Sequence, residues 1–406
     1  MPVKKRFPVW LVLLLLFCLL SCKSVLLKTP PEDSQISKTV PPAGLLPGQV
    51  PQFVVFGSDD NGFSGLPASG AEGGMEFLTS QFSGRVNPAA GGNEATFDQR
   101  PWQYSFFVNT IYLSTRQNDL VPYGGVDRED PELVREAWLK AVAAGHEIGV
   151  HTHSHPHGRE LSYEQWRREM EQCLEILVEP ALSDNSKPGV GLGLARESLI
   201  GFRTPYLEYN DETLRAALDL GFLYDCSVEE GWQAEQDGRN FHWPYLLDQG
   251  SPADPQISAH QGLWEIPVYV FTVPPDHECE KYGLAPGLRA SLAERQDYFD
   301  PLSGKITGMD WNLWVAFNMT PEEFLATLRH SLDLRLQGNR CPLTVGLHSE
   351  LYSDKSDTSG LAATAAERHL ALRAFFDYLQ GLQEVRVVSK RELLSWLRQP
   401  EPLSGY

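Results

Sequence analysis

Hydrophobic and polar positions alternate along this chain in two periods that take turns. Short apolar runs at 53–56 and 104–108 read as buried strands, and a period near 3.6 follows at 131–144, where Val134, Ala137, Trp138 and Ala141 share one face. A strand is predicted at 147–150. Ser162 with Gln165 then makes a capping box that opens a helix with the stripe Trp166, Met170, Cys173, Leu174 and Leu177. Strands at 200–203 and 222–225 bracket a helix at 211–220 closed by Gly221, and 264–271 reads as one longer strand. Thr320-Pro321-Glu322-Glu323 has a cap, a proline at the first helical position and an acid at the third, so a helix starts there. Strands at 343–347 and 385–388 follow, with a helix at 363–382 between them and a capped last helix from Ser389. Regular alternation of this kind implies a parallel sheet, either a barrel or a doubly wound sheet. Segments 62–102, 229–261 and 275–308 read as loop insertions.

Polar residues choose between the two. Asp59-Asp60, His151 and His155, Arg203 and His348 each fall just after a predicted strand. In a barrel the carboxyl ends of the strands converge on one face, so residues almost three hundred positions apart meet in one pocket. Five of the eleven histidines lie between His146 and His157. A carboxylate pair after one strand and a His-x3-His after another are parts of an open metal site, since imidazole and carboxylate suit a zinc-like ion and three ligands leave a place for water.

The amino terminus concerns delivery. Lys4, Lys5 and Arg6 precede an apolar stretch from Val9 to Leu20, which has the length of a signal peptide. It ends in Leu19-Leu20-Ser21-Cys22, which resembles a bacterial lipobox with Cys22 as the lipid acceptor. The expected organisation is a leader over 1–21, a lipidated cysteine and flexible tether over 22–49, one domain over 50–400 and a tail over 401–406. Export to the cell envelope and a membrane anchor through Cys22 follow as expectations. The formal charge is −19, which argues against nucleic acid as a partner. Four widely spaced cysteines, Cys173, Cys226, Cys279 and Cys341, contain no CxxC pair and do not suggest a thiolate metal site.

At this point the chain resembles the polysaccharide deacetylases of the NodB-homology type (carbohydrate esterase family four), in places their chitin deacetylase branch. Pro51-Gln-Phe-Val-Val-Phe-Gly-Ser-Asp-Asp-Asn61 is similar to the first motif of that family, Thr-Phe-Asp-Asp. Gly145-His-Glu-Ile-Gly-Val-His-Thr-His-Ser-His-Pro156 is similar to the second, Gly201-Phe-Arg-Thr-Pro-Tyr206 to the third and Val345-Gly-Leu-His348 to the fifth. Tyr224-Asp-Cys-Ser227 lies where the fourth would be, without its Asp-x-x-Asp-Trp form. The resemblance runs in order over about 50–398 and implies an α/β fold, a distorted, incomplete (β/α)7-type barrel.

It also implies roles. Asp60, His151 and His155 would hold a divalent metal, zinc first, with cobalt or nickel as alternatives. Asp59 would act as base towards a metal-activated water, Arg203 would keep Asp59 ionised and aimed, and His348 would be the acid. The backbone N–H of Tyr206 would face the oxyanion, where one such donor is worth about 3 kcal/mol. Asp225 and Asp310 are rivals to orient His348 or Arg203. Trp243 and Trp311 are candidates for a sugar groove, with core packing at least as good a reading for Trp264. The substrate class would be an acetylated polysaccharide, cleaved at an amide or an ester.

Two departures stand out. Gly57-Ser58 replaces the usual Thr-Phe, taking an aromatic from beneath the site, and Asn61 replaces a glycine. Singly, each residue has a plainer reading: adjacent aspartates form turns, a lone arginine makes ion pairs, a lone histidine is packed. His146, His153 and His157 are read as structural or as pointing away. Two other classes stay open, a zinc-binding lipoprotein and a sugar-binding relic of the same scaffold.

Overall fold

The computed structural model describes residues 38–63, 72–89, 93–114, 130–180, 191–355 and 359–403. The leader, Cys22 and most of the expected tether lie outside these residues. Its last part, 38–49, is held against the domain: Trp243 N–H donates to the Lys38 carbonyl at 2.6 Å, the Asn339 side chain to the Thr39 carbonyl at 2.7 Å, and Leu403 N–H to the Gln49 carbonyl at 2.8 Å.

The strands are β1 (Gln52–Asp59), β2 (Ser105–Val108), β3 (Glu147–Val150), β4 (Gly201–Phe202), β5 (Tyr224–Asp225), β6 (Glu229–Glu230), β7 (Tyr245–Leu246), β8 (Trp264–Glu265), β9 (Val268–Tyr269), β10 (Phe271–Thr272), β11 (Lys305–Ile306), β12 (Leu343–His348) and β13 (Val385–Val387). The main sheet runs β12-β1-β2-β3-β4-β5-β8, all parallel, with β7 antiparallel at the far edge. β13 and β2 share one side of β1: Val54 pairs with Val387 there, and Gly57 with Ser105 nearer the carboxyl end. The result is a curled, incomplete barrel, as expected.

Closure fails between β9 and β12. Among the described residues no ladder joins them; the Thr344 hydroxyl donates to the Pro267 carbonyl at 3.0 Å and accepts Tyr269 N–H at 3.2 Å. This also corrects the single strand expected over 264–271. Pro267 has no N–H to give a ladder, and the run divides into β8, β9 and β10, which join three different sheets.

Main helices are α1 (Gly74–Phe82), α2 (Pro131–Ala143), α3 (Tyr163–Val178), α4 (Asp211–Asp219), α5 (Leu288–Arg295), α6 (Pro321–Gln337), α7 (Ala365–Gln380) and α8 (Lys390–Arg398). The capping boxes at Ser162, Thr320 and Ser389 form as read. α1 and α5 were hidden inside segments expected as loops. Among the described residues no helix is long and apolar enough to cross a membrane.

Period-two geometry sorts β1 onto two faces. Val54 and Phe56 face outward, where Phe56 meets Phe82, Phe375 and Phe376 of α1 and α7. Phe53 and Val55 face inward and pack with Phe107, Tyr224 and the α8 residues Leu393, Leu394 and Trp396, so α8 plugs the barrel. The same alternation carries Gly57 and then Asp59 to the inner face. All four cysteines of the domain are buried and unpaired.

Candidate metal and acid–base site

At the end of β1 the backbone turns through Asp60 (φ 67°) and Asn61 (φ 66°). Asparagine tolerates this left-handed region, and its side chain closes the turn, donating to the Phe107 carbonyl at 2.8 Å and the Ser58 carbonyl at 3.2 Å while accepting the Ser58 hydroxyl at 2.7 Å. The departure from glycine is thereby absorbed. Gly57 has its own cause: a Cβ there would stand 3.3 Å from the Phe107 ring, and one on Gly149 2.5 Å from it. Phe107 comes from the neighbouring strand and supplies an aromatic floor, with the Arg203 guanidinium 4.7 Å above its ring centre.

β3 delivers His151, and a loop with Thr152 (φ 72°) and His155 (φ 52°) brings the second imidazole back beside the first. The loop is clipped to α3 by Glu169, whose carboxylate accepts Ser154 N–H at 2.8 Å and the Ser154 hydroxyl at 2.7 Å. One ligand atom from each of Asp60, His151 and His155 lies within 4.8 Å of the others. His155 Nε2 is 3.1 Å and His151 Nε2 3.7 Å from Asp60 Oδ1.

The donor set fits a cation. The Arg203 carbonyl lies 2.9 Å from His151 Nδ1 and can only accept, so Nδ1 carries the proton and Nε2 presents its lone pair to the carboxylate. Burial pushes both imidazoles down to about 4, which keeps them neutral near pH 7. Burial, with the Asp59 charge, also raises the Asp60 carboxyl against the pull of His151 and His348. Asp60 Oδ1 is buried and accepts no hydrogen bond. Three lone-pair donors turned on one point repel unless a positive ion lies between them.

Asp59 and Arg203 form a buried pair, Nη1 to Oδ1 at 2.9 Å. Burial alone would raise Asp59, but Arg203, helped by His151 and His348, holds it below the ordinary carboxylate value. Arg203 is placed by the 225–227 segment: Cys226 N–H donates to the Phe202 carbonyl at 3.0 Å, Arg203 Nε to the Cys226 carbonyl at 3.1 Å, and Thr204 N–H to the Ser227 hydroxyl oxygen at 2.9 Å.

On the opposite flank, β12 ends in His348. Asp310 holds it twice, with Oδ1 2.8 Å from Nδ1 and Oδ2 accepting the backbone N–H at 3.1 Å. Burial works against the imidazolium, yet Asp310, with Asp59 and Asp60, lifts His348 to about 10. Of the two aspartates, Asp310 is the one hydrogen-bonded to His348, while Asp225 feels the charge of Arg203. Asp225 makes no hydrogen bond to His348 or Arg203; its oxygens accept the N–H (2.9 Å) and hydroxyl (2.8 Å) of Ser227, which in turn takes Thr204 N–H. Trp311 follows Asp310 directly.

Tyr206 (φ 56°) sits with its ring 4.5 Å from His155 and stacked at 4.2 Å on His157, more than half exposed. Trp311 is 43 % exposed beside Asp310. Trp243 does not line a groove. It is buried among Trp396 and its neighbours, its indole N–H donating to the Asn339 carbonyl at 3.1 Å, because its loop folds back over the sheet edge. Trp264 packs partly against the same cluster. His146, His153 and His157 stand apart from the three ligands, His153 on the Thr110 hydroxyl at 2.9 Å and His157 on Glu208 at 3.2 Å. Sequence reasoning missed Phe107, Ser227 and Glu169. Phe107 and Glu169 carried no motif; Ser227 closed the 224–227 segment, two residues after Asp225, but was given no role.

The polysaccharide deacetylase family matches residues 95–224, a span that holds His151, His155 and Arg203. Chitin deacetylase 8 of Bombyx mori is 23 % identical over 380 residues, which cover 92 % of this chain and 77 % of that protein. A Mycobacterium smegmatis protein assigned to the polysaccharide deacetylases superposes with a TM-score of 0.50 over 86 % of this chain and 91 % of its own, at 16 % identity. A Pseudomonas aeruginosa PAO1 protein of the same description aligns with 15 % identity and a TM-score of 0.46, over 86 % of this chain and 92 % of that one. The structural likeness speaks for the fold, and over residues 95–224 the chain is similar to the polysaccharide deacetylases.

Proposed function

We propose that the protein removes acetyl groups from an N-acetylated glycan, chitin-like or peptidoglycan-like, by hydrolysis of the amide. The single observation that carries this reading is the flanking of one three-donor cluster by Asp59, paired with Arg203, and His348, paired with Asp310. Asp60, His151 and His155 would hold a divalent cation, zinc foremost by ligand chemistry. When bound, such an ion supplies an acidified water and a Lewis acid for the acetyl carbonyl.

The chain's residues do the rest. Asp59 accepts a proton from the attacking water as its oxygen joins the carbonyl carbon. The Tyr206 backbone N–H is the donor assigned to the developing oxyanion. His348 gives its proton to the sugar nitrogen as the C–N bond breaks, because an amide anion is a very poor leaving group. The products are acetate and the free amine. Trp311, beside the acid, would cover one face of the reacting sugar. The name of the Bombyx mori relative supports an N-acetylated substrate.

Export belongs to the same reading. The basic start, the apolar stretch and Leu19-Leu20-Ser21-Cys22 support a lipid anchor in the cell envelope. Radiolabelled palmitate should enter the wild-type protein and not Cys22→Ala. The reaction is tested by acetate release from N-acetylated chitooligosaccharides and peptidoglycan fragments with added zinc. Equal, blank traces for wild type and Asp59→Asn across the panel, acetylxylan included, would sink it.

A further inference from the structure

Four large aromatic side chains stand exposed among the described residues: Tyr206, Trp232, Tyr298 and Trp311. Tyr206 and Trp311 border the site already described. Trp232 lies two residues beyond the carboxyl end of β6, which pairs in parallel with β9 outside the main sheet. It is 48 % exposed, yet it is anchored. Glu229 Oε1 accepts its indole N–H at 3.2 Å and the Thr307 hydroxyl at 2.7 Å, and the Lys305 ammonium donates to the Gln233 carbonyl at 2.7 Å. The 305–311 segment that fixes this loop is the one that ends in Asp310 and Trp311. Thr307 is three residues from Asp310, so their Cα atoms are at most about 11 Å apart.

We infer that Trp232 is a sugar-stacking subsite beside the catalytic pocket, taking a neutral saccharide unit next to the one that loses its acetyl group. An indole whose N–H is already satisfied presents an apolar face, and its few rotatable bonds make stacking cheap in entropy. Trp311 and Trp232, fixed to one segment, then form a track leading away from His348. The substrate is therefore a chain of several units and not a single acetylated sugar. The net charge of −19 favours a neutral polymer over an anionic one. This inference rests on the deacetylase reading and sharpens its substrate.

The test uses N-acetylglucosamine oligomers of one to six units with the zinc-loaded full chain. For wild type, kcat/KM for acetate release should rise with length. Trp232→Ala should lose about three- to tenfold on the hexamer, mainly through KM, the range expected for one aromatic contact. Trp232→Phe should recover most of the loss, and Tyr298→Ala should keep the wild-type rise; circular dichroism checks that each variant folds. A flat length profile in wild type, or an undiminished rise in Trp232→Ala, overturns the subsite. Should no oligomer release acetate, the deacetylase reading fails separately. The subsite is then decided by the hexamer quenching tryptophan fluorescence in wild type and not in Trp232→Ala; no quenching in wild type overturns it.

Discussion

Replacing Asp310 by asparagine tests the acid most directly. Asp310 is almost fully buried, and its two oxygens accept two N–H groups of His348, from the backbone and from Nδ1. An asparagine has one oxygen to offer, so one donor must face an amide NH2 with no bulk water to replace the bond. A hydrogen bond to a charged partner is worth about 1.5–3 kcal/mol, which is about 1–2 pKa units for the imidazole. The sign is set by the active form. If protonated His348 is the acid, activity falls as pH rises through its pKa, and lowering that pKa moves the fall to lower pH. The alkaline limb of kcat/KM for acetate release should therefore shift down by about 1–2 units in Asp310→Asn, with kcat reduced roughly 10²- to 10⁴-fold at the optimum. An alkaline limb that stays in place would refute the assignment of His348 as acid and Asp310 as its support.

Further outcomes follow from the same geometry. Asp59→Asn should lower kcat by about 10²-fold or more while zinc still binds, measured by equilibrium dialysis, because Asp60, His151 and His155 are untouched. A chelator should abolish acetate release and zinc should restore it; Asp60→Ala should prevent that rescue at the same zinc concentration. Ser227→Ala leaves Thr204 N–H without its acceptor and loosens Arg203, so kcat should drop several-fold more than KM changes, in contrast to Trp232→Ala. Gly74→Ala would put a Cβ 1.6 Å from the Ser349 carbonyl oxygen, next to His348; overpacking of about 1–3 kcal/mol should appear in urea unfolding.

The parts of this site that sequence made legible are those whose chemistry is local. His151 and His155 sit four apart after a strand, and two adjacent aspartates follow another, so both pairs announce themselves before any fold is known. Alternation gave the barrel because parallel strands buried on both faces read as unbroken apolar runs. What stayed hidden depends on contacts between distant segments. Asp310 and Asp225 look alike along the chain, and nothing local tells which lies under His348. Phe107 is one apolar strand residue among many, until Gly57 and Gly149 are found making room for its ring. Pro267 could have warned that 264–271 would not run as one strand. Trp243 and Trp311 differ only in what folds over them, which no window of sequence contains.

The gap between β9 and β12 has a further meaning. There the Thr344 hydroxyl joins the two strands, and further along β12 Gly346 N–H donates to the Gly308 carbonyl at 2.9 Å. A cylinder laced all round could widen only by unzipping a strand; this one is held at the gap by a few isolated hydrogen bonds. It behaves as a split collar around its contents, and Thr344→Val would loosen the clasp while leaving every strand of the parallel sheet paired.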